Sequence, residues 1–156
     1  MCEHCGCQVL APISELTEEH DLVLSLVREV RVAREARDGA RMAELASRIA
    51  AVLGPHAEVE ERGLFPALAA DFPDQIAILA AEHRQVAAVL GEAARGLPAD
   101  PAWPDRLDAA LRILRAHIHK EQDGVFPAAL ASLRTADWEA MEKIRAEVGS
   151  LLPSPA

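Results

Sequence analysis

Apolar side chains return every three or four residues through four long stretches of the chain, the spacing of one buried face on an α-helix. The first stretch, 14–37, carries Leu16, Val23, Leu24, Val27 and Val30 on one stripe. Ser14 or Thr17 is its expected cap, with Glu15, Glu18 and Glu19 as acids where the helix dipole favours them. Asp38-Gly39 ends it. The second, 40–70, runs through Met42, Leu45, Ile49, Val52 and Leu53, and Gly54-Pro55 inside it predicts a kink or short break. Phe72-Pro73-Asp74 closes that segment, with Asp74 as the expected cap of a third helix over 75–95 built on Ile76, Leu79, Val86 and Leu90. Gly96-Leu97-Pro98 and a proline-rich link lead to a fourth, 105–133, through Leu107, Leu111, Leu114 and Val125. A shorter fifth, from 135 or 136 to 148, carries Trp138, Met141 and Ile144. Short links between long amphipathic helices make neighbours antiparallel, so the pattern predicts an all-α, antiparallel up-down four-helix bundle with a short fifth C-terminal helix. The expected division is a cysteine-bearing segment at 1–12, the bundle at 13–150 and a flexible tail at 151–156.

Composition narrows the picture. With 51% hydrophobic and 26% charged residues, the 156-residue chain reads as one globular domain. Aromatic residues are only 3% and alanine is abundant, which favours close-packed helices over a β-sandwich. A net charge of −9 argues against a nucleic-acid surface, which needs a basic face. The apolar runs are too short and interrupted to span a membrane. No basic start followed by an apolar stretch marks a secretory signal, and the three cysteines crowd into the first seven residues, so the expected location is cytoplasmic.

The chain also repeats itself. His56-Ala-Glu-Val-Glu60 and, further on, Gly63-Leu-Phe65-Pro66-Ala match His117-Ile-His-Lys-Glu121 and Gly124-Val-Phe126-Pro127-Ala at the same offsets. Glu19-His20-x-x-Val23 likewise matches Glu82-His83-x-x-Val86. Each unit is thus a helix with one histidine followed by a helix with His-x-x-x-Glu. Residues four apart lie within about 40° around a helix, so each pair points one way. His20, His83, His117 and Glu121 continue the apolar stripes; His56 and Glu60 do so provided Gly54-Pro55 leaves the register intact. His119, about 200° from His117, faces away.

A single histidine on an apolar stripe is ordinary, and one His-x-x-x-Glu pair is often only a side-chain contact across a turn. Four imidazoles and two carboxylates pointing at one bundle axis are different, because a buried carboxylate without a partner costs several kcal/mol or more. A pair of metal ions answers that cost. Imidazole suits iron, zinc, copper and nickel, and each ion would take two histidines while sharing both glutamates. Positions would remain for a bridging oxygen and an outside ligand.

With these motifs, residues 16–133 resemble the hemerythrin-like, or HHE cation-binding, family. The resemblance implies an antiparallel four-helix bundle around two non-haem iron ions, oxo- or hydroxo-bridged. It carries over His20 from the first helix, His56 and Glu60 from the second, His83 from the third, and His117 and Glu121 from the fourth, with the two glutamates bridging. The oxygen-carrying hemerythrins have a further histidine one turn after the third-helix ligand and a wider gap before the last carboxylate. Ala87 stands at that position here. The set is more similar to bacterial relatives implicated in nitric oxide and peroxide stress and in iron-sulfur cluster repair. The implied function is a di-iron protein that binds or turns over oxygen, nitric oxide or peroxide. The absence of Tyr rules out a tyrosyl radical, and no Glu-x-x-His pair of the ferritin-like kind is present.

Cys2, Cys5 and Cys7, with His4 between them, form a separate feature. They read as a mobile head, as half of a second metal site completed by other ligands, or as redox-active thiols near the iron. They support an alternative function, an iron-handling or redox-sensing module. A structural zinc site is a third reading. Phe65-Pro66 and Phe126-Pro127 are expected to close the core beyond the metals and to bend both helices.

Overall fold

The computed structural model describes residues 7–152. Its elements are α1 (Cys7–Glu35), α2 (Gly39–Val59), a π-helical turn Glu60–Leu64 leading into α3 (Phe65–Leu68), and α4 (Pro73–Gly91). They continue as α5 (Trp103–Lys120), a second π-helical turn Glu121–Val125 leading into α6 (Phe126–Ser132), and α7 (Thr135–Val148). The chain is an all-α up-down bundle: α1 packs on α2 and α5, α4 packs on α5 and α2, and α7 lies against α1, α2 and the first π-turn. Among the described residues no helix is long and apolar enough to cross a membrane.

Several helix ends differ from the pattern's prediction. α1 begins at Cys7 and contains Pro12, so neither Ser14 nor Thr17 caps it; the Thr17 hydroxyl instead donates to the Ile13 carbonyl at 2.9 Å. α2 runs unbroken through Gly54-Pro55. Pro55 removes only the bond to the carbonyl of Ala51, an exposed residue, so water can replace it. α4 starts at Pro73 with Phe72 as its N-cap, and Asp74 sits in the first turn without a capping bond. It ends at Gly91, where single turns from Leu90 to Ala93 and Gly91 to Ala94 replace the last helical bonds. α5 starts two residues early, at Trp103, whose fully buried ring donates Nε1–H to the Val89 carbonyl.

The apolar stripes form two clusters. One joins Val23, Val27, Ile49, Val52, Val86, Leu90, Trp103 and Leu114 with their neighbours. The other joins Ile13, Leu16, Val59, Leu64, Phe65, Leu68, Leu79 and Phe126 with Trp138, Met141 and Ile144 of α7. The metal-motif residues lie between them in sequence on every long helix: His20 between Leu16 and Val23, His83 between Leu79 and Val86, and the two His-x-x-x-Glu pairs between Val52 and Leu64 and between Leu114 and Phe126. A polar layer is therefore sandwiched in the core.

The Phe-Pro doublets do more than end a helix. Phe65 N–H donates to the Glu60 carbonyl and Phe126 N–H to that of Glu121, so each helix widens by one residue immediately before its proline. In a regular α-helix five residues would carry the phenylalanine about 140° away from the glutamate. In the widened turn both remain buried. Pro66 and Pro127, which lack the N–H and crowd the carbonyl four residues back, fit there as the second residues of α3 and α6.

Candidate metal centre

Four continuous helical runs, α1, α2 with its π-turn, α4, and α5 with its π-turn, deliver six side chains to one place. His20, His56 and His117 are at most 2% exposed, and Glu60 and Glu121 are fully buried. His83 is 12% exposed. Glu60 Oε1 lies 3.1 Å from His56 Nε2 and 3.2 Å from His83 Nε2, each from a different helix. Glu121 Oε1 lies 3.1 Å from His20 Nε2 and 3.2 Å from His117 Nε2. Two sets result, His20, His56, Glu60 and Glu121 on one side and Glu60, His83, His117 and Glu121 on the other. In each, the ligand-type atoms lie within 4.8 Å of one another, and both glutamates belong to both sets.

The outer nitrogens follow the same internal symmetry. His56 Nδ1 donates to Glu19 Oε1 at 3.1 Å and His117 Nδ1 to Glu82 Oε1 at 3.0 Å. His20 Nδ1 donates to Gln122 Oε1 at 3.0 Å, and Glu61 lies 3.5 Å from His83 Nδ1. Each imidazole thus turns Nε2 inward, and in His20, His56 and His117 a hydrogen-bonded Nδ1–H leaves the lone pair of the neutral ring on Nε2, while His83 Nδ1 has no hydrogen-bond partner among the described residues.

The electrostatics ask for a cation. Burial works against a charge on His56, yet the carboxylate of Glu60 and the hydrogen bond to Glu19 outweigh it and push its pKa up to about 10. His117 is raised as well, burial again being overcome by the hydrogen bond and charge of Glu121. Burial also opposes ionisation of Glu60, but the positive charge of the neighbouring His56 holds it well below the usual carboxylate range. Even so, both oxygens of Glu60 and Oε2 of Glu121 lack a hydrogen-bond partner among the described residues. Buried carboxylate oxygens with unused lone pairs, facing inward-turned imidazole nitrogens, are a donor set that fits two borderline divalent or trivalent ions.

Phe126 stacks on His20 and Phe65 on His83, each with ring centroids 5.5 Å apart. A cavity of about 220 Å³ reaches all four histidines. Its walls include Leu53, Val86, Ala87, Leu90 and Leu114, with Gly54 and Ala57 at its α2 side. His119 is exposed and away from the centre. Cys2 and Cys5 lie outside the described residues, and Cys7 opens α1.

Glu19 was not a candidate on sequence, where it read as an acid near a helix start. It is fully buried and is held in turn by Arg145 and Ser150. The repeated Glu-His of 19–20 and 82–83 was the available signal, since both glutamates make the same contact to the partner helix's histidine.

No curated protein and no solved structure matches the chain significantly. Residues 11–129, however, match the family model Hemerythrin, described as the Hemerythrin HHE cation binding domain. That span covers α1 from its second turn to the middle of α6, with the whole polar layer inside it, and the chain accordingly belongs to the hemerythrin HHE cation-binding family.

Proposed function

We propose that this protein holds a non-haem di-iron centre and binds or turns over a small oxidant beside it, namely oxygen, nitric oxide or peroxide. The polar layer carries the reading: two sets of two imidazoles share two buried carboxylates whose oxygens have lone pairs to spare. His20 and His56 would hold one ion and His83 and His117 the other, with Glu60 and Glu121 available to both. When bound, the irons supply the redox chemistry. The chain's own residues supply the rest. Glu19, Glu82 and Gln122 fix the orientation of three of the imidazoles. The apolar clusters above and below keep bulk water from the layer. The cavity, with mostly aliphatic walls, admits a small and weakly polar molecule.

Ala87 lines that cavity one turn after His83 and offers no ligand atom, so the chain would supply only His83, His117 and the shared glutamates to an ion on that side. Shared carboxylates and nitrogen donors, with no cysteine in either set, favour iron over a closed structural zinc site. Three thiols close together in sequence fit a reducing compartment, the cytoplasm.

The test is addition of nitric oxide or hydrogen peroxide to the iron-loaded protein, followed by optical spectroscopy. The expected result is a saturable change in the near-ultraviolet and visible bands. An Ala87→Phe variant should keep its iron but respond about tenfold more slowly, a barrier of about 1.4 kcal/mol. Loaded protein that responds to neither reagent, nor to oxygen after reduction, would refute the oxidant reading.

A further inference from the structure

α7 lies beyond the family-matched residues 11–129, yet it reaches the polar layer. Arg145, 13% exposed, clamps fully buried Glu19 with both ends of its guanidinium: Nη2 to Oε1 at 2.7 Å and Nη1 to Oε2 at 3.0 Å. Ser150 Oγ adds a bond to Glu19 Oε2 at 2.8 Å, and Glu15 lies 3.1 Å from Arg145 Nε. Glu19 Oε1, held this way, is the acceptor for His56 Nδ1. The three residues form a chain from the C-terminal helix to one ligand of one ion position.

The duplicated half lacks this lock. Glu82, which makes the equivalent contact to His117, is 17% exposed and is paired with Lys120, itself 46% exposed. Lys120 Nζ also reaches both oxygens of Glu82, at 2.8 and 2.7 Å, but as a single ammonium on a flexible, half-exposed stem, whereas the planar guanidinium of Arg145 engages the two oxygens of Glu19 through two separate nitrogens in one fixed plane. The packing differs in the same sense. A Cβ on Gly63 would lie 2.9 Å from Met141 Cγ, so the first π-turn needs glycine to receive α7, while the equivalent Gly124 has nothing within 4 Å. Duplication gave two like half-sites, and α7 packs mainly on one of them, against α1, α2 and the first π-turn.

We infer that Arg145 is a positioning residue of the metal centre: through Glu19 it holds the His56 imidazole in its ligating orientation, so the ion position of His20 and His56 is locked while that of His83 and His117 is the looser of the two. The inference rests on the di-iron reading above. Loss of a second-layer partner of a ligating histidine weakens metal retention about 10- to 100-fold.

The experiment measures release of iron from the reduced, loaded protein to an iron(II) chelator in Arg145→Met, Glu19→Gln, the double variant of these two, and Glu82→Gln. In the wild type one ion should leave before the other. Arg145→Met and Glu19→Gln should each speed the slower ion's release about 10- to 100-fold and leave the faster one unchanged. Because Arg145 acts through Glu19, the double variant should be no worse than Glu19→Gln alone. Glu82→Gln should speed only the ion that already leaves first. Should Arg145→Met fail to fold for want of a counter-charge, Glu19→Gln and the double variant, in which Arg145 faces no buried carboxylate, decide the matter. Both ions retained with unchanged time courses, both released together, or additive effects in the double variant would overturn the inference. A wild type that holds no iron would instead refute the di-iron reading itself.

Discussion

At Glu19 the sequence pattern and the structure part for an identifiable reason. The apolar period becomes regular only at Leu16, with Ser14 and Thr17 placed like caps, so Glu19 counts as an early acid favoured by the helix dipole. α1 actually begins at Cys7, which puts Glu19 more than three turns inside the helix, where the dipole no longer favours it and only a buried partner can. The six metal-motif residues were legible because the repeat and the stripes agree on them. Arg145 was not, since its partners are 126 and 130 residues away along the chain. Exposed histidines offer a control at this scale. His119 lies beside His117 in sequence but outside the layer, so His119→Ala should leave metal content at the wild-type value, whereas His117→Ala should lose iron. Iron determination on the two purified variants compares them directly.

Helix boundaries carry most of the remaining differences. The 3.6-residue period reads through Gly54-Pro55 correctly in its consequence, since His56 and Glu60 stay on the stripe, but it has no means of seeing a π-turn that adds one residue. The visible trace of both turns is the repeated Gly-x-Phe-Pro, whose proline demands a relaxed turn before it. The same repeat conceals an asymmetry that only packing reveals: a Cβ on Gly63 would run into Met141 and Ile144 of α7, whereas one on Gly124 would meet nothing within 4 Å. Gly63→Ala should therefore overpack this contact and lower the unfolding free energy by about 1–3 kcal/mol. Gly124→Ala should be neutral or stabilising by up to about 1 kcal/mol, because alanine restricts the unfolded chain and suits a helix. Urea denaturation of both variants measures the contrast, and equal effects would mean that α7 does not pack on the first π-turn as described.

For the molecule as a whole, the bundle was plain from four amphipathic stretches and short links, while the way α7 closes one end was not, because a single short helix gives a stripe but no partner. The assembled core holds buried carboxylates between two apolar clusters, an arrangement costly on its own and relieved by cations. Metal should then be part of the folding free energy. At a free ion concentration about 100 times the dissociation constant, each ion contributes about 2.7 kcal/mol, and two contribute about 5 kcal/mol. For a chain of this size, removing both by chelation should lower the melting temperature by about 10–20 °C, reversed by adding iron back. Thermal denaturation by circular dichroism follows it. The central claim is that six residues on four helices hold two ions. It is tested most directly by metal analysis and an optical spectrum of the aerobically purified protein beside a Glu60→Ala, Glu121→Ala double variant. About two irons per chain, with near-ultraviolet oxo-to-iron bands that vanish in the variant, is the result the account predicts. Zinc in place of iron, or no metal in either protein, would contradict it.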